Sequence, residues 1–436
     1  MTDDILDQLF RRLHAEGFRQ VALELVQENV DQVRFSSNTK DLHNHWNEES
    51  ISVFAETNGR TVSTVIKDAS ALDSAVARLK EIAARTPENP SFSSLNPEPQ
   101  SYSGMPRARS SDVDIEDLAS AMINGSLASG SERVAGLVYN RRSAVTVMTD
   151  HNRCSYETGG IEAVIRAFRG NFTGQEAQHF GIEANVDSST MERLGAEAAE
   201  TASLAQQKAD VEPGRHRVLL SPYVMGNILT YSSGFLSYYS VETGLSCFSD
   251  LLGKEVSFPG FNLHDSPLDF NGVGARLCDE EGTATARIDI ISGGVLKSYL
   301  HSYSTASRAG VKTTANAGII SPRSWQLQLD AGRRGYKKIL EDMGDGLLIG
   351  NSWYTRFQDY RNGVFSTVPR DGVFLVKNGE ISGSVSGIRI SDSVTSILSG
   401  VREISREAKN VKWWEEIAPS SMPYVLVDNV NISRAF

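Results

Sequence analysis

Cysteine is scarce in this chain: Cys154, Cys247 and Cys278 are the three in 436 residues. No two are spaced as CxxC, which excludes a thiol redox motif and a cysteine zinc ribbon. An odd, sparse count fits a reducing compartment. Histidine is also thin, at eight residues. None of them makes an HExxH or HExxxH, the helical spacings that turn two rings toward one zinc ion. Basic charge is in deficit, with 43 Lys and Arg against 54 Asp and Glu and a formal net charge of -11. Such a balance repels phosphate backbones and argues against a nucleic-acid partner. No apolar run approaches the roughly 20 residues that span a bilayer. The opening Met1-Thr2-Asp3-Asp4-Ile5 lacks the basic and apolar regions of a signal peptide. The expectation is a soluble cytoplasmic protein with no membrane and no nucleic-acid partner.

Apolar residues make up 40% of the chain and charged residues 22%, enough for two or three packed domains. Residues 1–85 read as helix, strand, hairpin and helix. Leu6, Leu9 and Leu13 recur at helical spacing, Val21, Leu23 and Leu25 alternate, and Asn58-Gly59 supplies the turn between two strands. Residues 86–110, with Pro87, Pro90, Pro97, Pro99 and Pro106 among Ser and Asn, read as a linker or extended crossing. Residues 111–212 continue the N-terminal α/β region. A helix is expected over 113–124, separate strands over 133–139 and 143–150, and a helix over 188–208 capped by Ser188, Ser189 or Thr190. Residues 213–436 form a strand-rich second half. A helix is expected at 223–239, hairpins turn at Gly293-Gly294 and Asn378-Gly379, a helix covers 396–408, and a last strand covers 424–430. The fold class is α+β.

Motifs for chemistry are few. Gly383-Ser384-Val385-Ser386-Gly387 misplaces the serine of a nucleophile elbow, and Gly344–Gly350 satisfies no phosphate-cradle pattern. His43 and His45 share a face if strand-borne, with Glu48 and Glu49 nearby, but a polar strand or loop explains them as well. Asp279, Glu280 and Glu281 precede Gly282, a run able to take a cation or the amino end of a peptide, or merely to form a solvated turn. Tyr303, Trp353, Tyr354, Trp413 and Trp414 belong to an aromatic concentration that suits either a groove or a core.

Longer patterns carry a resemblance. Leu252-Gly253-Lys254 is followed by Cys278-Asp-Glu-Glu-Gly-Thr, then by Gly293-Gly-Val-Leu-Lys-Ser-Tyr-Leu-His-Ser-Tyr-Ser-Thr-Ala306, and then by Thr313-Thr-Ala-Asn-Ala-Gly318. Asp371-Gly-Val-Phe-Leu-Val-Lys-Asn-Gly-Glu-Ile381 and Leu398-Ser-Gly-Val-Arg-Glu-Ile404 come later. This order resembles the core of the TldD/PmbA family, and implies a C-terminal domain of the PmbA/TldD type. TldD-type members are zinc metallopeptidases with an HExxxH helix early in that domain and a cysteine ligand near the end. Here the corresponding helix, 223–236, has no His and no Glu, and 413–423 has no Cys. The departure resembles the TldE/PmbA branch. That branch implies a chain with no cofactor of its own, paired with a TldD-like subunit that carries zinc, in a complex that degrades small unfolded peptides. The alternative is a homodimer that reuses the fold for another hydrolytic or peptide-binding role. Asp279, Glu280, Glu281, Tyr303 and Asn316 are the candidates for the peptide cleft.

Overall fold

The computed structural model describes residues 2–104, 113–204 and 207–435. Residues 105–110 of the expected crossing lie outside them. The N-terminal elements are α1 (Thr2–Ala15), β1 (Gln20–Ser36), β2 (Thr39–Thr57), β3 (Arg60–Ile66), α2 (Leu72–Arg85), α3 (Ile115–Ala128), β4 (Arg133–Thr149), β5 (Arg153–Arg169), β6 (Phe172–Gly181) and α4 (Ser188–Ser203). The six strands form one antiparallel sheet in the order β3-β2-β1-β4-β5-β6. Alternation along β1 sorts its two faces. Val21, Leu23 and Leu25 pack with α1 and α2, and Val33 and Phe35 pack with α3 and α4. Glu24 and Val26 point to the other face, where a cleft opens. Helices α3 and α4 touch backbone to backbone. A Cβ at Gly125 would lie 2.1 Å from the Glu192 carbonyl, and one at Gly195 would lie 2.1 Å from the Met122 carbonyl, so both positions need glycine.

Asn58 and Gly59 adopt φ of 51° and 76°, the tight turn their identities require. Three other expectations are corrected. Residues 133–149 are one strand, because every residue of β4 from Arg133 to Met148 pairs with β5. The cap of α4 is Asp187, whose carboxylate accepts from the Thr190 amide at 2.8 Å. The described part of the crossing, 86–104, is extended but packed: Leu95 and Asn96 are buried, and the Asn96 amide donates to Thr283 at 3.0 Å.

The second set of elements is β7 (Gly214–Leu220), α5 (Pro222–Ser232), α6 (Tyr238–Glu242), β8 (Leu263–Asp265), β9 (Ile288–Ser292), β10 (Val295–Leu296), α7 (Tyr303–Ala309), β11 (Leu327–Leu329), α8 (Tyr336–Asp342), β12 (Gly346–Asp359), β13 (Val364–Lys377), β14 (Glu380–Ser384), β15 (Ile388–Ser393), α9 (Val394–Gly400), β16 (Val401–Val411) and β17 (Ser420–Arg434). Strand β7 pairs with both β12 and β17, so β17, β15, β13, β12 and β7 close on themselves around a large apolar core. The expected helix at 223–239 stops at Ser232. A 3-10 turn over Ser233–Leu236 follows, and α6 is separate. The expected helix over 396–408 is also corrected: it ends at Gly400, and Val401–Val411 is a strand on β17. Among the described residues, no helix is long and apolar enough to cross a membrane.

Candidate functional site

Helix α5 begins at a strong signal, Ser221 accepting from the Val224 amide with Pro222 in the first turn. Its residues are buried almost throughout, and it faces the segment 413–420. Their contact is polar. The Asn227 amide donates to the Glu415 carbonyl at 3.3 Å, and the Thr230 hydroxyl donates to Glu416 Oε2 at 2.7 Å. The Thr355 hydroxyl donates to Asn227 Oδ1. Glu416 Oε1 and the Ser420 hydroxyl are buried without a partner of hydrogen-bond geometry. They close the space over Gly226, where a Cβ would meet Ser420 Oγ at 2.8 Å and Glu416 Oε1 at 3.1 Å. Burial pushes the Glu416 carboxyl up to about 8, against the hydroxyl of Thr230, which favours the anion. Nearby, burial lowers His179 to about 4. Its two ring nitrogens lie 3.3 Å from the Ser420 carbonyl and from the Val273 amide.

The Glu416 shift has a sign that can be measured. An acid whose folded value lies above its unfolded one holds a proton in the fold that the unfolded chain has released. Its contribution is present below about 4.5 and is lost as pH rises toward about 8. This group's contribution to wild-type stability is therefore smaller at pH 8 than at pH 6. Glu416→Gln keeps the size and removes the titration. In urea unfolding it is expected to shrink that pH 6-to-8 difference by about 1–2 kcal/mol. Equal differences for variant and wild type would show that Glu416 is ionised in the fold.

Ser233, just past α5, opens onto a cleft of about 380 Å³ between the N-terminal sheet and the loops at 273–276, 323–325 and 417–419. Arg276 is its main cation. It pairs with Glu24 at 2.9 Å, donates to the Cys278 carbonyl at 2.6 Å and lies 3.9 Å from the centre of the Trp325 ring. Arg323 lies 4.8 Å from the same ring. Two guanidiniums thus lie within cation–π distance of the Trp325 ring, which lines the cleft. Arg276, Glu415 and Glu416 carried no sequence motif. The two glutamates follow Trp413-Trp414, and a carboxylate pair directly after two large aromatics was the available sign of burial.

The loop 318–325 separates this cleft from a second cavity of about 310 Å³. Glu280 and Glu281 line that second cavity, and edge strand β3 contributes Thr61, Val62 and Ser63. Asp279 and Asn316 lie buried beneath it. Asp279 accepts from the amides of Glu281 at 3.0 Å, Thr283 at 2.9 Å and Ala317 at 3.0 Å. Burial outweighs these donors and pushes its carboxyl up to about 7. Glu280 accepts from the Ile319 amide and from Arg323. Glu281 accepts from the Tyr303 amide at 2.9 Å, at the start of α7. The Asn316 amide donates to Asp265 at 2.7 Å. Of the five candidates Glu280 and Glu281 line this cavity, Asp279 and Asn316 are buried nearby, and Tyr303 enters only through its backbone amide; their contacts tie the loops at 279–283, 303 and 316–323 together.

His43 and His45 lie on β2 and face different carboxylates, Glu116 at 2.8 Å and Asp31 at 2.8 Å. Among the described residues, no three His, Cys, Asp or Glu are grouped to hold a metal ion. Trp353, Trp413 and Trp414 pack on one another with ring centres 4.9–5.8 Å apart, while Trp414 and Tyr354 stay exposed.

Residues 213–434, which carry helix α5, the closed strands around it and the loop at 413–420, match a family model for the PmbA/TldA metallopeptidase C-terminal domain. The chain belongs to the PmbA/TldD family. It is 26% identical over 259 residues to the metalloprotease PmbA of Escherichia coli O157:H7, covering 58% of this chain and 55% of that protein. It is 26% identical over 234 residues to a metalloprotease of Methanocaldococcus jannaschii, covering 52% and 51%. The chain thus spans about half the length of the curated relatives it matches. TldE from Thermococcus kodakarensis shares the fold, with a TM-score of 0.81 and 16% identity over 98% of this chain and 100% of that one.

Proposed function

We propose that this chain is the zinc-free, TldE-like subunit of a PmbA/TldD-type metallopeptidase complex, and that a TldD-like partner supplies the metal. The observation that carries this is the contact between α5 and the loop at 413–420. The groups there are the Asn227 amide, the Thr230 hydroxyl and a Glu416 carboxyl pushed up to about 8. Zinc needs imidazole, thiolate or ionised carboxylate ligands. Asn227 and Thr230 supply none of these, Glu415 accepts from the Tyr354 amide at 2.6 Å, and the carboxyl of Glu416 alone does not make such a set; Ser420 and Glu416 also leave no room over Gly226 for a ligating side chain. In a TldD-like partner the zinc would polarise a peptide carbonyl and activate water. This chain's residues would hold and orient the peptide. Glu280 and Glu281 beside the edge strand β3 support an extended peptide lying against β3 with its amino end toward the carboxylates.

The test is reconstitution. The purified chain alone should leave an unstructured peptide intact. Mixed one-to-one with an HExxxH-bearing relative from the same genome, it should co-elute in size exclusion and cleave that peptide. Cleavage by this chain alone, after removal of contaminating metal, would overturn the proposal.

A further inference from the structure

A third cavity, of about 580 Å³, opens where β5 and the β5–β6 turn meet β13 and β15. Arg166, Arg370 and Arg389 line it, together with the apolar side chains of Phe172, Phe374 and Val385. The three cations are not equally compensated. Arg166 pairs at 2.7 Å with Asp371, whose carboxylate is buried. Arg370 lies 3.6 Å from the centre of the Trp353 ring, which Arg166 also approaches at 5.8 Å. Among the described residues Arg370 has no carboxylate at ion-pair distance, and Arg389 donates to a neutral hydroxyl, that of Ser366, at 2.9 Å. Among the described residues three guanidiniums therefore share one carboxylate, which makes the lining net positive.

The backbone around the cavity is strained. Tyr354 and Asp371, both in the lining, adopt φ of 56° and 47°. A residue as bulky as Tyr354 avoids this left-handed region, at a cost of order 1–3 kcal/mol, whereas an aspartate adopts it more readily, and such strained residues cluster at ligand clamps. Tyr354 lies where β12 and β13 shift register between Trp353 and Arg356, and Asp371 lies at the shift between Ile349 and Asn351.

We propose that this cavity binds the free C-terminal carboxylate of a short peptide, with Arg370 and Arg389 on the carboxylate and the phenylalanines and Val385 around the terminal side chain. A planar guanidinium fork matches a carboxylate in two parallel hydrogen bonds. The volume suits a small organic molecule rather than a single inorganic anion, and the apolar lining needs an organic body. The choice of a peptide among organic carboxylates rests on the peptidase family reading. The binding itself does not depend on whether this chain carries zinc, so a failed reconstitution would leave it standing.

The experiment is calorimetric titration of the full chain with N-acetyl-Ala-Ala-Phe as the free acid and as the C-terminal amide, with inorganic phosphate as competitor. The acid is expected to bind and the amide to bind at least about tenfold more weakly. Arg389→Gln and Arg370→Gln should each weaken the acid about tenfold and leave the amide unchanged, with circular dichroism as the check on folding. Arg370→Lys should fall between. Equal binding of acid and amide, undiminished acid binding by the double variant, or no acid binding at millimolar concentration would each overturn the proposal. So would phosphate displacing the peptide at equal concentration, which would mark a site for inorganic anions only.

Discussion

Lys409→Met is expected to lower the stability of the chain by about 3–5 kcal/mol in urea unfolding. Lys409 lies on β16, yet its ammonium meets Glu176 of β6 and, at 2.7 Å, Glu197 of α4. It therefore joins the second half of the fold to the N-terminal sheet. The Tyr223 hydroxyl, from α5, also donates to Glu176. Burial raises the Glu176 carboxyl, and the charge of Lys409 is the main force opposing that rise. Methionine fills similar space but leaves two carboxylates facing each other, one of them fully buried. Glu176 must then take up a proton or draw in water, and either costs stability. The double variant Lys409→Met with Glu176→Gln should recover a large part of the loss, because a neutral amide has no missing counter-ion. A single variant within about 0.5 kcal/mol of wild type would show that the pair is solvated and that the two halves are held by apolar contact alone.

Asp279→Ala should cost about as much, roughly 3–5 kcal/mol, by a different route. Its side chain is the acceptor for the amides of Glu281, Thr283 and Ala317. Alanine leaves three buried N–H groups without a partner, each worth about 1–3 kcal/mol when unsatisfied. Asp279→Asn keeps one carbonyl oxygen and should lose less. Its amide cannot accept, so the cost persists at the Ala317 amide if the oxygen keeps Glu281 and Thr283. The asparagine variant should also flatten the stability profile between pH 4 and 7. The wild-type carboxyl stays neutral in the fold up to about 7 while the unfolded chain ionises from 3.8, so its contribution to stability falls across that window. Hydrogen exchange at Ala317 reads the same contact locally. Unchanged protection there in Asp279→Ala would refute the bracing role.

The sequence was most legible where one residue type has one use. Asn58-Gly59, Gly293-Gly294 and Asn378-Gly379 all turn with positive φ at both residues, and each joins the two strands its neighbours propose. Reading failed where tertiary pairing outweighs local pattern. Val401 and Ile404 suit a helix face, but β17 offers them a ladder, and register shifts at Val401/Glu403 and Ile404/Ala408 bend the strand to fit. The pairing of β1 with β2, which runs out to the turn at 37–38, was not foreseen. From Lys40 to Glu49 its β2 residues are exposed or half-buried, so no apolar alternation marks them. The acidic run at 279–281 stood out because three carboxylates precede a glycine, and its neighbours Tyr303 and Asn316 came from the family pattern. The Glu176–Lys409–Tyr223 group was invisible. Its members are separated by 47 and 233 residues, and no spacing rule links positions brought together only by two sheets meeting.

Metal content tests the central claim most directly. The chain is purified alone, equilibrated with a slight excess of zinc, passed through a desalting column and measured by inductively coupled plasma mass spectrometry. The α5 contact, where Asn227, Thr230 and Glu416 stand and no imidazole or thiolate does, predicts less than about 0.1 zinc per chain. It also predicts about one per heterodimer once an HExxxH-bearing relative is added. About one tightly held zinc per chain in the isolated protein would contradict the account.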